Sequence, residues 1–196
     1  MSATMSPAEI LAALVGFDTT SHKSNLDLIA WVEAYLAQLG VPAERIYDAS
    51  GQKANLWATI GPADRSGYIL SGHTDVVPVE GQPWDSDPFT LTQKNGRLYG
   101  RGTCDMKGFD AIALAAVPKA LKAGLRRPLQ IALSYDEEVG CLGAPRMIAD
   151  IRRTLPKADI ALIGEPSNWK VVNGHKGGIG IATGLRGYEV HSSILH

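Results

Sequence analysis

The sequence has little of what would stabilise or address a protein by special means. Only two cysteines, Cys104 and Cys141, occur in 196 residues, which excludes a disulfide framework and makes a reducing cytoplasm the expected setting. No charge of one sign dominates. Nineteen Lys and Arg face 20 Asp and Glu, a formal net charge of -1, so no field gathers nucleic acid or an anionic membrane, and a small molecule is the expected partner. The longest strictly apolar stretch, Ala111 to Val117, has seven residues, against the roughly 20 that a membrane-spanning helix needs. The opening Met-Ser-Ala-Thr-Met-Ser-Pro-Ala-Glu has neither the basic cluster nor the apolar block of a secretory signal. No internal repeat or low-complexity linker divides the chain. A soluble protein is expected.

What is present suffices for a core: 45% of the residues are hydrophobic and 20% charged. Ser6-Pro7-Ala8-Glu9 combines a capping serine, a proline at the first helical position and a glutamate three residues after the serine, which predicts a helix to about Val15. Leu28, Val32, Tyr35 and Leu39 recur at spacings of four, three and four, an amphipathic helix ending at Gly40. Short β-like runs follow at Ala43–Tyr47, Ala54–Ile60, Tyr68–Ser71, Leu129–Leu133 and Ile160–Ile163. Helical patterns lie at Met106–Lys122 and Gly143–Arg153. This alternation predicts an α/β fold, with a largely parallel mixed sheet flanked by helices. Beyond Trp169 glycines accumulate before an alternating, β-like end from Leu185 to His196, read as entry into a second unit.

The chemistry gathers where acids and a histidine follow strand patterns: Ser71-Gly72-His73-Thr74-Asp75, Gly100-Arg101-Gly102-Thr103-Cys104-Asp105-Met106-Lys107-Gly108, Asp136-Glu137-Glu138 and Gly164-Glu165-Pro166-Ser167. His73 to Asp105 and Asp105 to Glu137 are each 32 residues, and Glu137 to Glu165 is 28, about one strand–helix unit apiece. Carboxyl ends of strands in such sheets face one crevice, so these groups are expected to converge. One histidine with several carboxylates suits zinc or another borderline divalent ion. Asp75, two residues past His73, shares its face in an extended segment and either orients the imidazole or makes a local Asx turn. Each residue also has an ordinary use: His73 in packing, Asp105 as a helix cap, the triplet at 136–138 as a solvated loop, and Glu165 as the start of a turn. A thiol mechanism with Cys104 as nucleophile and His73 as base is disfavoured by the carboxylate of Asp105 beside it.

The runs His73-Thr74-Asp75-Val76-Val77-Pro78, Trp84-Asp85-Ser86-Asp87-Pro88-Phe89 and Gly100 through Gly108 resemble the di-zinc amidohydrolases of the acetylornithine deacetylase and succinyl-diaminopimelate desuccinylase group. Asp136-Glu137-Glu138, Gly164 through Ser167 and His191-Ser192-Ser193 extend the likeness. The resemblance implies that Asp105 bridges two zinc ions, that His73 and Glu165 complete one site, and that Glu138 belongs to the other, with cobalt as an alternative metal. It makes Glu137 the general base in hydrolysis of an N-acyl amino acid, N-acetylornithine first among them. It also implies a cis Asp105–Met106 peptide, a lid histidine at His191 that serves the partner subunit of a homodimer, and either a substrate-carboxylate contact or a solvated turn at His175 and Lys176.

On the same resemblance, residues 1–176 are the N-terminal part of a zinc-exopeptidase-like catalytic domain and residues 177–196 the beginning of a lid or dimerisation domain. The family's last histidine ligand, which belongs with Glu138, has no counterpart in this sequence. The expectation is therefore a truncated form that holds at most about one zinc tightly, through the three ligands His73, Asp105 and Glu165, and hydrolyses little. A chain that binds metal without turnover is the expectation of the other class.

Overall fold

The structure, a computed structural model, describes residues 4–174, 176–191 and 193. His175 and Ser192 lie outside the described residues. Two compact units are present, Met1–Pro166 and Ser167–His196.

The first unit runs α1 (Pro7–Val15), α2 (Leu26–Gln38), β1 (Ala43–Tyr47), β2 (Ala54–Ile60), β3 (Tyr68–His73), β4 (Thr92–Lys94), β5 (Arg97–Tyr99), α3 (Lys107–Lys122), β6 (Leu129–Ser134), α4 (Ala144–Thr154) and β7 (Ile160–Ile163). Helix α1 begins with the expected capping box. Ser6 Oγ accepts the Glu9 amide at 3.3 Å, and the Glu9 carboxylate accepts the Ser6 amide at 2.7 Å, so two backbone donors without helical partners are satisfied reciprocally. Helix α2 lacks a side-chain cap. Its preceding Asn25 turns inward instead, donating to the Ala54 carbonyl at 2.8 Å and Thr74 Oγ1 at 2.9 Å.

The main sheet has the order β1-β2-β6-β3-β7. Strands β6, β3 and β7 are mutually parallel, whereas β1–β2 and β2–β6 are antiparallel. The sheet is thus parallel at one end and antiparallel at the other. The six residues between β1 and β2 are too few for a crossover, which a parallel pair would require. Period-2 alternation separates the faces. Leu56, Ala58, Ile60, Ile131 and Leu133 join α1, α2 and α3 in the principal core, while Trp57 and Ala132 meet Met147 of α4 on the other side. Full burial of each leucine or isoleucine contributes about 1.5–3 kcal/mol.

A second, two-stranded sheet pairs β4 with β5. Asn95 and Gly96, both at positive φ (53° and 71°), make its turn, as an Asn-Gly pair does in tight hairpins. Strands of three residues are too short to show a period, so only the turn dipeptide marks them in sequence.

The second unit forms neither helix nor strand among its described residues. The alternating pattern from Leu185 onward therefore stays without β pairing there; a lone strand has no ladder to join. No described helix is long and apolar enough to cross a membrane.

Candidate metal centre

Because β6, β3 and β7 run parallel, their carboxyl ends share one edge. His73 is the last residue of β3 and lies opposite Ser134, the last of β6. Glu137 follows three residues later. Glu165 lies two residues past β7, where the Gly164 amide still bonds the Ser71 carbonyl at 3.2 Å. Asp105 arrives from the turn before α3. It caps nothing, since α3 has no side-chain cap, and the Asp105–Met106 peptide is cis.

These residues meet around a buried imidazole. His73 Nε2 stands 3.0 Å from Asp105 Oδ1 and 3.8 Å from both Glu137 Oε2 and Glu165 Oε1. Two sets present ligand atoms all within 4.8 Å of one another: His73, Glu137 and Glu165, and His73, Asp105 and Glu138. His73 Nδ1 donates to the Asp75 carbonyl at 2.9 Å, which leaves Nε2 facing the acids. Burial pushes the imidazole toward its neutral form, but the Asp75 carboxylate and the charge of Asp110 more than offset this, raising its pKa to about 10.

Asp75 serves more than the histidine. Its carboxylate accepts the Glu137 amide at 3.0 Å, the Glu138 amide at 3.3 Å and the Ser21 hydroxyl at 2.7 Å. It therefore ties the acidic turn after β6 to the end of β3, and no Asx turn of its own forms. Asp136 is not a solvated loop residue either: at φ 56° it ion-pairs with Lys53, whose ammonium also donates to the Ser21 carbonyl. Ser21, Lys53, Asn25 and Thr74 escape a sequence reading because their side-chain partners lie 29 or more residues away and no motif marks them.

The donor set suits a divalent cation. Burial and the neighbouring charge of Asp105 raise the carboxyl pKa values of both Glu138 and Glu165, and a cation among them relieves that repulsion. Cys104 is exposed, and both ring nitrogens of His73 are engaged by Asp75 and Asp105, so the imidazole is not directed at the thiol. His191 lies in the second unit, with Nδ1 2.8 Å from Ser193 Oγ.

Beneath the centre Asp110 is fully buried, and its Oδ1 has no hydrogen-bond partner. Burial raises its carboxyl pKa from 3.8 to about 8. The folded chain therefore holds this proton where the unfolded chain has released it. The group's contribution is fully present below pH 3.8 and lost as pH rises toward 8. Urea titrations between pH 4 and 8 should show wild-type stability falling with pH, and Asp110→Asn should flatten that slope; an unchanged slope would exclude Asp110 as its source.

Residues 69–193 match the model of peptidase family M20/M25/M40. The chain is 39% identical over 192 residues to an acetylornithine deacetylase of Pasteurella multocida (strain Pm70), and 38% identical over the same length to one of Shigella sonnei (strain Ss046). Each match covers 94% of this chain and 49% of the relative, so the chain spans about half the length of these curated relatives. Human carnosine dipeptidase 1 superposes with a TM-score of 0.69 at 23% identity, over 80% of this chain and 38% of that one. The M20 family metallo-carboxypeptidase Sso-CP2 from Sulfolobus solfataricus gives 0.70 at 24%, over 82% and 37%. At these identities the structures establish the shared fold, while the family rests on sequence. The chain belongs to peptidase family M20/M25/M40.

Proposed function

We propose that this chain carries the metal-binding half of an amidohydrolase that cleaves N-acetylornithine to ornithine and acetate. The carrying observation is the convergence of His73, Asp105, Glu137, Glu138 and Glu165 on one sheet edge, in a chain 39% identical to an acetylornithine deacetylase. In this reading residues 1–176 belong to the catalytic domain and residues 177–196 begin a lid. Exposed free thiols at Cys104 and Cys141 accord with a reducing cytoplasm.

His73, Asp105 and Glu165 would hold one zinc ion, and Asp105 with Glu138 would contribute to a second, with cobalt as an alternative. Zinc so held supplies Lewis acidity toward the acyl oxygen and a water of lowered pKa. The protein's own part is positional and protonic. Asp75 fixes the imidazole tautomer through its carbonyl and the acidic turn through its carboxylate. Glu137 takes a proton from the water that attacks the acyl carbon and delivers it to the amide nitrogen as the C–N bond breaks, so that a carboxylate and a free amine result. His191 of a second copy would steady the developing negative charge on the acyl oxygen, which makes a homodimer part of the reading.

The ligand count makes a prediction. After loading with zinc or cobalt and desalting, elemental analysis should find about one ion per chain, because both three-member ligand sets draw on the single imidazole of His73, which completes only one three-ligand site with an open position at a time. Acetate release from N-acetylornithine should exceed succinate release from N-succinyl-diaminopimelate, at a slow rate. Two retained ions would overturn the count, and preference for the succinyl substrate would overturn the acyl assignment. Metal held with no turnover of either would leave a metal-binding protein without this activity.

A further inference from the structure

The largest fully buried side chain among the described residues belongs to a lysine, Lys107, in the first turn of α3. Its ammonium donates to the Leu14 carbonyl at 3.0 Å and the Phe17 carbonyl at 2.8 Å. These carbonyls stand at and just beyond the C-terminus of α1, whose last turn has no basic residue of its own. A cation from α3 thus occupies the negative end of the α1 dipole. The lysine stem runs beneath Gly102, where an added Cβ would fall 3.0 Å from Lys107 Cδ and 2.8 Å from Val76 Cγ1. One side chain therefore joins the end of α1 to the loop leading to Asp105.

The segment held by Lys107 leads directly to the metal centre. The Val76 amide bonds the Thr19 carbonyl at 3.1 Å, and the Ser21 amide bonds the Val76 carbonyl at 3.2 Å. Thr19 Oγ1 donates to the Thr74 carbonyl at 2.5 Å, and Ser21 Oγ to Asp75 Oδ2 at 2.7 Å. Residues 19–21 are thus laced to residues 74–76, at Asp75 and on either side of it. Lys107 itself stands two residues from Asp105.

We propose that Lys107 is a positioning residue for the metal centre: by fastening the end of α1 it fixes the Asp105 segment relative to the Ser21–Asp75 support of His73. Burying an ammonium is costly in a core that needs only apolar filling, and this geometry gives the charge a task that a methionine of similar length lacks. The role rests on the metal-centre reading above.

The test compares Lys107→Met with the unaltered chain in Co2+ affinity, by competition with a chromophoric chelator. Leu28→Ala, a core truncation in α2, serves as a control for general destabilisation. Lys107→Met should bind Co2+ at least about tenfold more weakly while folded by circular dichroism, the scale seen when residues supporting metal ligands are removed, and Leu28→Ala should keep its affinity. Coupling is reciprocal, so in the unaltered chain Co2+ should slow hydrogen exchange at the Phe17 and Ser21 amides; this arm decides if Lys107→Met does not fold. Unchanged Co2+ affinity in folded Lys107→Met, or exchange at residues 17–21 indifferent to Co2+, would overturn the proposal. An unaltered chain that takes up no Co2+ would overturn the metal-centre reading itself, and the proposal with it.

Discussion

On the proposed amidohydrolase reading, Glu137→Gln should lower the rate of N-acetylornithine hydrolysis by about 10²–10⁴-fold, the usual contribution of a positioned general base. Glutamine keeps the shape of the side chain and removes its capacity to accept and return a proton. The geometry sharpens what must be measured beside the rate. Glu137 Oε2 lies 3.8 Å from His73 Nε2, and Glu137 shares a possible ligand set with His73 and Glu165, so position alone does not distinguish base from ligand. A base gives up turnover and leaves metal affinity within a few-fold of the original. A ligand gives up both. Cys104→Ala should leave the rate unchanged, because the thiol is exposed and the imidazole is engaged by acids. A Glu137→Gln chain as fast as the original would remove Glu137 from the mechanism, and a large loss in Cys104→Ala would reopen the thiol reading.

Gly72→Ala should be strongly destabilising. A Cβ at this position would lie 1.9 Å from Asp110 Oδ1 and 3.2 Å from Met106 Cε. Gly72 sits inside β3, opposite Leu133 of β6, and Asp110 is buried on α3, so neither strand nor carboxyl has solvent to move into. Overpacking of this kind costs about 1–3 kcal/mol and more where the neighbour is fixed, against a typical domain stability of about 5–15 kcal/mol. The urea midpoint should fall by the equivalent of about 3 kcal/mol. Asp110→Ala in the same chain should recover most of the loss, since the clash is with that carboxyl. Equal midpoints for Gly72→Ala and wild type would mean that α3 packs less closely on β3.

The parts of this protein that are legible in sequence are those whose causes are local. The α1 capping box is a contact three residues long. The boundaries of β1, β2 and β7 coincide with the runs Ala43–Tyr47, Ala54–Ile60 and Ile160–Ile163, because apolar patterning and turn residues mark both ends. His73, Asp105, Glu137, Glu138 and Glu165 can be picked out because each follows a strand or precedes a helix, and parallel strands bring such ends together. The β4–β5 hairpin is hidden by its shortness, and the antiparallel β2–β6 pairing by the distance in sequence between those strands.

The sequence by itself determined the α/β class, the order of the helices and of the main-sheet strands, and the identity of the acids and histidine at the strand ends, since these depend on periodicities of 2 and 3.6 residues and on the chemistry of single side chains. Only the tertiary structure decided what those groups lean on. Asp75 bonds the backbone of Glu137 and Glu138 across 62 and 63 residues, and Lys107 reaches Leu14 and Phe17 across 93 and 90. Hydrogen bonds of that span exist only once the packed elements bring distant chain segments within about 3 Å, so no local pattern encodes them.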